Sequence, residues 1–92
     1  MSIVARFNPT NLTNEMYDES IRRLKEAGDF PPDGMELHVM FGPEGDLRVS
    51  EIWDSREAMS SFGERLMPML ADIGIDFSGP PEVFEVHNIV KR

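Results

Sequence analysis

Two segments, MELHVMF (35–41) and VFEVHNIV (83–90), each set a histidine in a run of alternating side chains. Imidazole is the side chain whose unperturbed titration falls nearest neutral pH, so His38 and His87 are the first candidates for acid–base work. Alternation puts His38 on a face with Glu36 and Met40, and His87 on a face with Glu85 and Ile89. Glu51, in LRVSEIW, is the third candidate. If the GPEGD turn closes a hairpin with two or four residues, His38 lies opposite Glu51. A three-residue loop with a bulge puts Leu37 there instead. A His38–Glu51 pair makes a usable acid–base group, but a satisfied strand histidine accounts for the same residues.

Trp53, the only tryptophan, ends the LRVSEIW segment just before a helix cap. It is either a large packing residue at the edge of the core or the wall of a cavity. Arg6, Arg48, Glu36, Glu51 and Glu85 form a charged set on the strands. Cross-strand ion pairing is the simpler account of that set, and the lining of a wet cavity is the functional one. No His/Glu spacing is diagnostic of a metal site, so none is assigned. The Gly-Pro-Glu-Gly turn lacks the lysine and the following helix of a phosphate loop.

The elements that must position these residues follow from periodicity. SIVARF is a short strand, stopped by Pro9. Thr13 is a candidate cap for a helix over 14–27 with Met16, Tyr17, Ile21 and Leu24 on its apolar stripe and Gly28 as its stop. DFPPDG is a stiff loop, and 35–41 is the clearest strand, with Leu37, Val39 and Phe41 on one face. Strand three follows the GPEGD turn. A second helix opens at Asp54 or Ser55, with Asp54 and Glu57 at the spacing of a capping box. Its stripe is Met59, Phe62, Leu66, Met69 or Leu70, and Ile73. Pro68 lies inside it and predicts a kink or break. The last strand covers 83–90.

The order is β-α-β-β-α-β, the ferredoxin-like α+β arrangement: a four-stranded antiparallel sheet with both helices on one face. In that order strands two and four lie at opposite edges, so a single His38–His87 site within one chain is not expected. The uncovered face, read as Val4, or Ile3 and Phe7, with Met40 and Ile89, calls for a cover, and a second copy of the chain fits best.

Composition bounds the rest. Ninety-two residues predict one domain, 1–92. The absence of cysteine removes disulfides, thiolate sites and thiol nucleophiles. A formal charge of −8 disfavours nucleic acid and anionic membrane surfaces. No apolar run approaches a membrane span, and the first residues lack the pattern of a signal peptide, which makes the cytoplasm the expected location.

RVSEIWDSREAMSSF resembles the strand-Trp-Ser-helix segment of the dimeric α/β-barrel superfamily, which includes antibiotic-biosynthesis-monooxygenase-like domains. RLMPMLADIGI and PPEVFEVHNIV resemble the closing helix and strand of its small members, and the element order matches along nearly the whole chain. The resemblance implies a homodimeric α/β barrel and, in enzyme members, a pocket between sheet and helices of each subunit. It does not imply one activity. In haem-degrading members a tryptophan on this strand lines the pocket with an asparagine of strand one and a histidine of helix two. Asn8 stands near the strand-one position. Helix two has no histidine, so haem is not expected.

The expectation is therefore a small homodimer with a small-molecule pocket in each subunit, working without a cofactor in a monooxygenase-like or isomerase-like reaction. His38, His87 and Glu51 are its acid–base candidates; Trp53, Asn8 and Arg6 are its substrate-binding candidates. The alternative is a non-catalytic dimer that binds a metabolite or a protein. A closed pocket of drug-like volume with a His or Glu pointing into it separates the two.

Overall fold

Turn chemistry and strand alternation set the frame. In the computed structural model, which describes residues Met1–Arg92, the elements run β1 (Ile3–Phe7), α1 (Asn14–Glu26), β2 (Met35–Phe41), β3 (Arg48–Trp53), α2 (Arg56–Ile73) and β4 (Glu82–Glu85). The strands form one antiparallel sheet in the order β2-β3-β1-β4. This is the ferredoxin-like topology expected from the sequence.

Each helix starts on a hydroxyl cap. Thr13 Oγ1 accepts from the Met16 amide at 3.0 Å, and Ser55 Oγ from the Ala58 amide at 3.1 Å. The Asp54–Glu57 capping box does not form. Asp54 instead donates its amide to the Gly34 carbonyl at 2.8 Å, which ties the end of β3 to the start of β2. Gly74, at φ 97°, closes α2 in the left-handed conformation. Pro68 does not break α2, which is continuous from Arg56 to Ile73. The proline is exposed and sacrifices one backbone bond on the solvent side.

Register decides which face of each strand is covered. Trp53, Glu51 and Val49 of β3 turn toward the helices, and β2 follows because His38 pairs with Glu51 and Met40 with Val49. Met40 is therefore not on the uncovered face, contrary to the expectation from alternation. Leu37, Val39 and Phe41 lie on the uncovered face and are exposed, as is Phe84 on the same face at the opposite edge of the sheet. Met40 packs under the helices. Alternation within β2 alone could not decide this, because both of its faces carry apolar side chains. A bulge at Glu36 also shifts the register, so that Met35 joins the covered core although it is two residues from exposed Leu37.

β4 is shorter than predicted. Its pairing ends at Glu85 opposite Ile3, where β1 runs out; one further bond, from the Val86 amide to the Ser2 carbonyl, closes the ladder. His87 and Ile89 thus lie beyond the sheet.

The core has two buried parts. Ile3, Ala5, Leu24, Trp53 and Phe62 form one; Leu12, Leu47, Leu70 and Ile75 form the other. Leu66 and Met69 of α2 touch both.

Candidate functional site

Between those two parts lies a cavity of about 70 Å³. Its walls are apolar: Leu24, Phe30, Phe62, Leu66 and Leu70 come from the helices and the loop after α1, and Phe7 and Val49 from the sheet. Tyr17, Ser20, His38 and Glu51 supply its polar atoms. The volume is below the ~300 Å³ at which drug-sized ligand pockets begin. A His and a Glu do line it, so the cavity meets one of the two conditions set from the sequence.

The polar groups form one chain of hydrogen bonds. His38 Nδ1 lies 2.7 Å from Glu51 Oε2, and His38 Nε2 lies 2.8 Å from the Tyr17 hydroxyl. Trp53 Nε1 donates to Glu51 Oε1 at 3.0 Å. One tautomer satisfies every member: the proton sits on Nδ1 and is donated to Glu51, and Nε2 accepts from the phenol. No buried side-chain nitrogen or oxygen is left without a partner. Glu51, only 4% exposed, tolerates its position because both carboxylate oxygens accept bonds from fixed donors.

The ring of His38 is also held by its neighbours. Tyr17 stacks beside it with centroids 5.8 Å apart, and Phe30 meets it edge-on at 5.4 Å. Burial, with added repulsion from Glu51 and Asp18, raises the Tyr17 pKa above the ordinary phenol value. The hydroxyl therefore keeps its proton near neutral pH and is a donor.

The even-loop register holds, and His38 pairs with Glu51. The second imidazole nitrogen is not free, however, since Tyr17 occupies it. In the sequence Tyr17 is one more member of an apolar helical stripe. The signal for a polar role was the hydroxyl itself, because a half-buried tyrosine oxygen needs a partner. Trp53 is fully buried and does not line the cavity; it packs on Phe62 and holds Glu51.

Three other candidates lie elsewhere. His87 sits at an exposed bend past β4, not in a strand, and is separated from His38 by the width of the sheet. Asn8 is exposed, and its carbonyl accepts from Ser78 in a link between the loops after β1 and after α2. Thr10, Asn11, Gly74 and Asp76 extend that link, so Asn8 fastens loops and does not wall the cavity. Arg6 is exposed on the uncovered face, opposite Ser50 and Glu82. No group of three or more His, Asp or Glu side chains is placed to hold a metal ion, and no helix is long and apolar enough to cross a membrane.

No family model matches the chain, and no curated protein does. Solved structures match it in fold. A Deinococcus radiodurans protein, whose name of antibiotic biosynthesis monooxygenase is provisional, aligns over 100% of this chain and 98% of its own, with a TM-score of 0.56 and 14% identity. A Mycobacterium tuberculosis protein aligns over 98% of this chain and 95% of its own (TM-score 0.49, 21% identity). A conserved protein of Methanosarcina mazei aligns over 90% and 86% (TM-score 0.48, 13% identity). The fold read from the sequence as that of the monooxygenase-like domains is the fold of the first of these structures.

Proposed function

We propose that the chain is a small proton-transfer enzyme of monooxygenase-like or isomerase-like type, acting on an apolar small molecule without an organic cofactor, and that it works as a homodimer. The observation that carries the reading is the Tyr17–His38–Glu51 chain on the wall of an apolar cavity. A substrate proton passes to His38 Nε2 once the Tyr17 hydroxyl swings off it. Glu51 balances the imidazolium that forms, and Tyr17 donates a hydrogen bond to the oxygen of the substrate anion. Returning the proton to another carbon gives isomerisation. Passing electrons from the anion to dioxygen gives the monooxygenase-like outcome. Trp53 acts through Glu51 by fixing its carboxylate, and is a positioning residue. The open sheet face, with Leu37, Val39, Phe41 and Phe84 exposed, supports the dimer.

The narrow cavity favours one second reading, a non-catalytic dimer in which the same chain of bonds is structural. A thermal-shift screen of small neutral compounds with one carbonyl or hydroxyl group tests the two. Binding raises Tm, because the ligand occupies only the folded state. For a compound that binds, proton exchange with solvent or oxygen uptake is then measured, and His38→Gln should abolish it while binding persists. A bound compound that neither exchanges nor reacts, with wild type and variant alike, leaves the non-catalytic reading standing.

A further inference from the structure

The hydrogen-bonded chain has the only tyrosine at one end and the only tryptophan at the other. These are the two aromatic side chains that give up an electron most readily. We propose that Tyr17 is a redox-active residue: a one-electron oxidant takes an electron from its phenol while the hydroxyl proton passes to His38 Nε2, leaving a neutral tyrosyl radical.

The step balances. The oxidant, of the outer-sphere one-electron class, gains one electron. Tyr17 loses that electron and the hydroxyl proton, the O–H bond breaks, and an N–H bond forms on the imidazole. The imidazolium keeps its Nδ1–H bond to Glu51, whose carboxylate offsets the new charge. Four observations favour it. An oxidised phenol is far more acidic than the parent, so the cost of oxidation depends on whether a base is already in place. Here the base is 2.8 Å away. That base is held on its far nitrogen by Glu51 and flanked by Tyr17 and Phe30, so accepting the proton needs little rearrangement. The surrounding wall is apolar, with Leu24 and Phe30 nearby, which limits the contact of a radical with water. The Tyr17 phenol also keeps its proton near neutral pH, so oxidation has to expel it. Run in reverse, the radical takes one electron from a reductant in the cavity and recovers its proton from His38 Nε2; run forward with a radical in the cavity as the oxidant, the step reduces that radical. The inference does not rest on the proton-transfer activity, because it is tested on the protein alone.

Flash oxidation of the full chain by a photogenerated ruthenium(III) polypyridyl complex provides the test, with transient absorbance and electron paramagnetic resonance as readouts. Wild type should give a tyrosyl radical that is absent in Tyr17→Phe. It should form at least about tenfold faster at neutral pH than from N-acetyltyrosinamide, as an in-place base predicts. In folded His38→Gln that advantage should disappear. A tyrosine oxidised no faster than the free model compound overturns the proposal, as does a rate unchanged in His38→Gln or a radical resting on Trp53 alone. If His38→Gln does not fold, as judged by circular dichroism, the comparison of wild type with the model compound decides.

Discussion

At the scale of single residues, the site depends on groups that each have two jobs. Tyr17 packs against the ring of His38 and supplies its second hydrogen bond. Because Tyr17 is the only tyrosine, its titration can be read directly from ultraviolet absorbance. Its folded pKa lies above the unfolded value of about 10. The stability that this difference supplies is complete below the unfolded pKa and is lost as pH rises through the folded one. Absorbance should therefore show tyrosinate forming later in folded than in unfolded protein. Above about pH 10 the Tm of wild type should fall more steeply than that of Tyr17→Phe. Trp53→Phe removes the donor to a buried carboxylate oxygen, and chemical denaturation should show a loss of about 1–3 kcal/mol from that bond, with a further loss from reduced packing. The pairing of His38 with Glu51 is one of two registers that the sequence allows, and the turn that closes between Phe41 and Arg48 decides for it. The Tyr17–His38 contact was not legible in the sequence. It joins a helix to a strand 21 positions away, and no local pattern encodes where that helix docks.

At the scale of elements, the helix stripes, the hydroxyl cap at Thr13 and the Gly28 stop were all legible, because each is a local signal. The helix does not break at Pro68, because the proline's preference is local while the packing that overrides it is not. Leu66, Met69 and Leu70, on either side of it, bind α2 to both parts of the core. Pro68→Ala restores an amide donor to the exposed side of the helix, and should stabilise the protein by about 1–3 kcal/mol in urea denaturation. Ser55→Ala removes a cap that is made, and should cost about 1 kcal/mol. Asp54→Ala should cost less, because its side chain caps nothing. β4 stops short of the 83–90 run because VHNIV has strand character that β1 is too short to pair; a strand extends only as far as its partner.

At the scale of the molecule, the open sheet face leaves Leu37, Val39, Phe41 and Phe84 exposed together. Across its middle runs a row of Leu37, Ile52, Val4 and Phe84, one residue from each strand. Sedimentation equilibrium at micromolar concentration is expected to give twice the chain mass, and Phe84→Glu, which plants a charge in that row, to give the chain mass. That the sheet has one covered face was legible; which face of β2 it was could be settled only by the burial of Trp53, two strand positions beyond Glu51.

The loops after β1 and α2 are fastened by backbone and side-chain bonds from Asn8, Thr10 and Asn11 to Gly74, Asp76 and Ser78. By contrast, one hydrogen bond, from Tyr17 to His38, joins α1 to the sheet. α1 is also the shorter helix, 13 residues against 18, and local opening is expected along it first. Amide protons of α1 should exchange with deuterium before those of α2, and His38→Gln should quicken α1 alone. The cavity would then fill and empty as a helix lifts, while the loop end stays shut like a hinge plate.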